Sequence, residues 1–161
     1  MTDDALVAKR GSEVPAEAMA ELEDWIARKP GEAGEKALLN ALAMFEAFTG
    51  QIALEEEREQ QVDGSANWQV LLGCPVQAVF AETGQIDIDS SGSGLVKASS
   101  PQTVRYRVGM ATQWLQLPEG ARHGIIRLAA HQCRLPAETT CEEPPLAVAA
   151  LWRPWRRVRS V

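Results

Sequence analysis

The sequence predicts an α+β protein: N-terminal amphipathic helices followed by an antiparallel β-sandwich or barrel-like domain. Three observations carry this. Apolar residues recur at helical spacing as far as about residue 61. Short β-rich runs then follow one another, many at roughly eight- to twelve-residue intervals, separated by Gly, Pro, Ser and Asn. Between the two textures lies "VDGSAN" at 62–67, the clearest boundary in the chain. The expected organisation is a flexible N-terminus over 1–12, a helical segment over 13–62, a β domain over 67–153 and a basic Trp/Arg tail over 154–161.

Ser12 is placed to cap a first helix, with Pro15 where a first-turn proline is tolerated. Ala18, Met19, Leu22, Trp25 and Ile26 form its apolar face, and "RKPG" ends it. A longer helical run is expected from about Ala33 to about Gln61, with Leu38, Leu42, Phe45, Thr49 and Ile52 as its stripe. Gly50 reads as a kink or a break within it, and "EEEREQQ" as the helix end leaving the protein body.

The strands are expected in "NWQVLLG", "VQAVFAE", "GQIDIDS", "GLVKAS", "TVRYRVG", "TQWLQLP", "GIIRLAA" and "LAVAALW". Alternation is clean in two of them: Ile86 and Ile88 against Asp87 and Asp89, and Val104, Tyr106 and Val108 against Arg105 and Arg107. "SSGSG" at 90–94 reads as a turn between strands. A phosphate cradle would need a helix N-terminus behind it, and a strand follows instead.

The composition is that of a globular protein, with 45% apolar and 24% charged residues in 161. No run approaches a membrane span, the first residues lack signal-peptide features, and three cysteines without a C-x-x-C fit a reducing, cytoplasmic setting. The net charge of −6 is unevenly spread. Residues 1–64 carry fifteen acids against six bases, whereas 65–161 carry seven acids against ten bases, nine of them arginine. Such asymmetry points to a nucleic-acid or membrane partner, or to attraction between halves or copies of the chain.

No catalytic constellation is recognisable. His123, His131, Cys133 and Cys141 lie close in sequence, and His131 and Cys133 would share a strand face, yet their spacing matches no familiar zinc motif. Neither a metal nor a cofactor is expected. Asp87 and Asp89 read as a solvated strand face. Trp25, Trp68 and Trp114 read as core.

The end of the chain, "LWRPWRRVRSV", is the one candidate site. After the apolar run "LAVAALW", Pro154 blocks a continuing central strand, so the residues beyond it should lie outside the core. The bland account is a solvated terminus. The functional account is a recognition patch of Trp152, Arg153, Trp155, Arg156, Arg157 and Arg159, since Trp and Arg are enriched at binding hot spots. Its target would be an acidic helical surface, either "EEEREQQVD" at 55–63 in the same or a neighbouring copy, or that of a partner. The reading is therefore a non-enzymatic adaptor or assembly subunit acting through protein–protein contacts. The alternative is a nucleic-acid-binding accessory protein, if Arg105, Arg107, Arg122, Arg127 and Arg134 form one basic face beside the tail.

Overall fold

The computed structural model describes residues 7–8, 13–136, 139 and 143–158. The chain divides into two compact units, one helical (Ser12–Ala53 with Gln113–Val161) and one built of strands (Met1–Gly11 with Leu54–Thr112). The fold is mixed α+β, with N-terminal helices followed by antiparallel sheets, as expected from the sequence. Ser12, the expected helix cap, lies outside the described residues.

The helical unit contains α1 (Ala16–Ile26), α2 (Gly31–Thr49), a 3-10 turn at Trp114–Gln116, α3 (Glu119–Gln132), α4 (Leu146–Trp152) and a second 3-10 turn at Arg153–Trp155. Each of the four α-helices among the described residues is preceded by a proline: Pro15, Pro30, Pro118 and Pro145. A proline there has its φ already fixed near the helical value and gives up an N–H that the first turn would leave unpaired anyway. Glu17, Glu32 and Glu119 then sit in first turns, where the helix dipole favours a negative charge. α3 packs against α1, α2 and α4. Ala18, Leu22, Leu38, Ala41, Phe45, Ile125, Leu128 and Trp152 are fully buried among them.

The long second helix ends sooner than its pattern suggests. Gly50 is neither a kink nor a mid-helix break; it adopts φ 71° and closes α2, its N–H bonded to the Glu46 carbonyl. "EEEREQQ" is not helix either, because it supplies β2 (Glu56–Val62).

The β unit has a four-stranded sheet in the order β1 (Val7–Ala8), β2, β7 (Gln102–Val108), β4 (Val76–Phe80). A three-stranded sheet follows the order β3 (Gln69–Val70), β6 (Gly94–Lys97), β5 (Gln85–Ile88). Neighbours are antiparallel throughout, and the sheets do not close into a barrel. The alternation expected along β7 is realised, with Val104, Tyr106 and Val108 buried and Arg105 and Arg107 exposed. Residues 90–94 do turn between β5 and β6, where Asp89 Oδ1 accepts the Ser91 and Ser93 amides.

Three expected strands are absent. "TQWLQLP" forms the first 3-10 turn, "GIIRLAA" lies in α3 and "LAVAALW" is α4, so the strands end at Val108. Paired isoleucines suggested β-structure, but the buried set Ala121, Gly124, Ile125, Ile126, Leu128, Ala129 and Ala130, with Arg122, His123 and Arg127 left out of it, follows a broad helical face. The continuous run in α4 is buried on one face only, at Val148, Ala149 and Trp152.

Candidate interaction surfaces

The start of the tail is built into the helical unit through Trp152, whereas Trp155 to Val158, past Pro154, are partly or fully exposed. α3 carries glycines at 120 and 124, four residues apart and so on one face. Trp152 lies on Gly124 and Trp155 on Gly120, where an added Cβ would come within 2.8 Å of the Trp155 ring. Trp152 is fully buried; its indole N–H donates to the Ala121 carbonyl at 3.2 Å, and its ring meets Phe45 edge-on at 5.4 Å between centroids. It therefore holds the tail in place and offers no surface to a partner.

Past Trp155 the chain is tied to the end of α2. The Arg157 N–H donates to the Thr49 carbonyl at 2.9 Å, and the Gln51 side-chain amide donates to the Trp155 carbonyl. Arg156 reaches over the Phe48 ring at 5.3 Å. The exposed surface of the tail is a rim of Arg153, Arg156 and Val158, with Trp155 and Arg157 partly exposed. Arg159 lies outside the described residues.

The acidic segment 55–63 contains strand β2 and is not a helical surface, and three of its carboxylates, Glu55, Glu56 and Glu57, are already bonded to arginine. β2 pairs with β7 so that Glu57 faces Arg107 and Glu59 faces Arg105. Arg105 bonds Glu57 at 3.2 Å and Arg107 bonds Glu55 at 3.3 Å, while both guanidiniums stand 5.9 Å from the Phe80 ring. On the opposite face of β2, Arg58 pairs with Glu56 at 2.5 Å with both side chains largely buried. A foreign basic tail would have to displace these arginines.

Arg105 and Arg107 belong to the β unit; Arg122, Arg127 and Arg134 belong to the helical unit. Arg122 is taken by Glu21 of α1 at 3.0 Å.

His123 and His131 are exposed on α3, and Cys133 follows that helix rather than sharing a strand face with His131. Burial raises the Cys133 thiol pKa above its ordinary value, although neighbouring Arg28 pulls it down. Cys141 lies outside the described residues. Among the described residues no three His, Cys, Asp or Glu side chains converge as a metal site would require, and no helix is long and apolar enough to cross a membrane. An open hollow of about 430 Å³ lies at Gly64–Ala66 and Lys97–Ser99, and a wider one of about 800 Å³, lined by Glu32, Lys36 and Cys133 among others, lies between α2 and the end of α3.

Trp114 is buried as expected, but Trp25 and Trp68 are not core: they are 48% and 46% exposed. Trp68, Val70 and Leu72, on β3 and to either side of it, are all exposed while Leu71 is buried, which leaves an apolar strip at the surface. The clue was available in "NWQVLLG", whose large apolar residues occupy both phases of the alternation, more than one buried face can take.

No family model matches the chain, and no curated protein does. Solved structures do. The fold is similar to that of a chain in the neck of an empty gene transfer agent (GTA) particle computed with C6 symmetry, with TM-score 0.73, 19% identity, and coverage of 100% of this chain and 98% of that one. It is similar as well to a chain in the neck of the native particle computed with C12 symmetry (TM-score 0.73, 19% identity, 98% of each chain). A chain in the virion of the native gene transfer agent particle gives TM-score 0.71 at 19% identity, over 97% of this chain and 98% of that one.

Proposed function

We propose that this chain is a non-enzymatic assembly subunit of a phage-like particle, positioned in a ring at its neck and acting through protein–protein contacts. The observation that carries the reading is similarity of fold over essentially the whole of both chains, to components of particle necks computed with cyclic symmetry. Surface chemistry supports it. The apolar strip Trp68, Val70 and Leu72 and the exposed Trp25 suit contact with other subunits. The Trp155–Arg157 rim is held against α2 and α3, which lowers the ordering cost of binding.

A nucleic-acid role has less support, because Arg105, Arg107 and Arg122 already bond Glu57, Glu55 and Glu21. The test is mass photometry of the purified chain across concentrations, with electron microscopy of the assembled species and immunogold labelling of any particles from the source cells. Closed rings and label at a particle neck are expected. A chain that stays monomeric and is absent from particles would sink the reading.

A further inference from the structure

Resting on that reading, we infer that neighbouring copies join head to tail, the basic C-terminal rim of one copy docking on the acidic outer face of α1 of the next. From Glu13 to Ile26 there are five acids and no base. Glu21 is used internally by Arg122, which leaves Glu13, Glu17, Glu23 and Asp24 exposed, with the half-exposed Trp25 beside them. The tail has the opposite character: between Glu143 and Val158 the bases are Arg153, Arg156 and Arg157, and Glu143 is the one acid.

Both surfaces belong to the helical unit, yet they sit toward opposite ends of α2. Asp24 and Trp25 lie where α1 leads into the start of that helix, whereas the tail is bonded to Thr49 at its finish. A 19-residue helix is about 28 Å long. The tail's own hydrogen bonds hold it at that far end. Complementary patches at opposite ends of one body make a heterologous contact, and repetition of such a contact through a closing rotation gives a ring in which every copy uses both patches. Guanidiniums suit the task because each can grip a carboxylate with two parallel hydrogen bonds, and Trp25 supplies apolar burial at the edge of the patch. The strand carboxylates at 55–57 are the poorer target, being already bonded to arginine.

The test uses two full-length charge reversals: Glu17→Lys with Glu23→Lys and Asp24→Lys, and Arg153→Glu with Arg156→Glu. All five positions are exposed, and circular dichroism of each variant checks the fold. Self-association by mass photometry and light scattering should weaken at least tenfold in either variant alone. It should return when the two variants are mixed, since each then offers the other one matched pair of patches. Trp25→Ala should weaken association even in high salt. If wild type associates and both reversals associate equally well, the head-to-tail contact is wrong while the subunit reading stands. If wild type remains monomeric throughout, both fall.

Discussion

Trp152 lies so close on Gly124 that a methyl group in place of the glycine hydrogen would overlap the indole nitrogen. The pair explains why an otherwise well-formed helix tolerates a residue that costs roughly 1 kcal/mol relative to alanine. Gly124→Ala should therefore run against helix propensity and destabilise the protein by about 1–3 kcal/mol, the range for overpacking a core. Gly120→Ala, against the partly exposed Trp155, should cost less. Urea unfolding of the two variants measures the order, and a stabilised Gly124→Ala would refute the packing argument.

Glu56 and Glu57 are neighbours on one strand with opposite fates. Glu56 and Arg58 pair with side chains only 10% and 12% exposed, whereas Glu57 and Arg105 are 55% and 59% exposed. Glu56→Ala strands a mostly buried guanidinium and should cost about 2–3 kcal/mol, somewhat less than for a fully buried pair. Glu57→Ala should cost under about 1 kcal/mol. Equal losses in the same unfolding assay would contradict the assigned strand faces.

Tyr106 is buried between β2 and β4, its hydroxyl donating to the Leu72 carbonyl at 2.8 Å. Tyr106→Phe should lose about 1–2 kcal/mol by leaving that acceptor without its donor. Burial also raises the phenol pKa above its ordinary value. The folded state thus keeps the proton that the unfolded chain releases first, so this contribution is complete below about pH 10 and is lost as pH climbs through the raised value. The wild type should lose stability between pH 10 and pH 11 by more than Tyr106→Phe does, and parallel losses would argue against it.

Cys133 should behave as a sluggish thiol. Burial holds it protonated, so alkylation followed by peptide mass spectrometry should reach half its limiting rate at a pH above that of a free cysteine. Arg28 opposes the shift, and Arg28→Ala should move the midpoint higher still. Rapid labelling at neutral pH would show that the thiol is not desolvated.

How far the sequence reveals this fold depends on what its local pattern encodes. β7 was legible because Val104, Tyr106 and Val108 face a core while Arg105 and Arg107 face water. β2 was not, because Glu, Arg and Gln favour helices and its stabilisation comes from arginines about fifty residues away on β7. α3 carried a readable start, since "LPEGAR" repeats the proline–acid signal of "VPAEAM" and "KPGEAG", but its paired isoleucines read as strand. At the tail, residue type pointed to Trp and Arg, while the division of labour did not follow from it. That Trp152 is internal and Arg153 external depends on where Gly124 lies in space, which no local pattern records.

Leu54 and Ala111 bridge each other, and the Glu55 N–H donates to the Ala111 carbonyl at 2.8 Å. The strand-built excursion from Leu54 to Thr112 thus starts and finishes at adjoining points, like a detour that rejoins its road at the same junction. A few glycines joining Ala53 to Gln113 would span that junction at small entropic cost. A chain run directly from Ala53 to Gln113 would therefore keep the four described α-helices in their order and lose only strand-built structure.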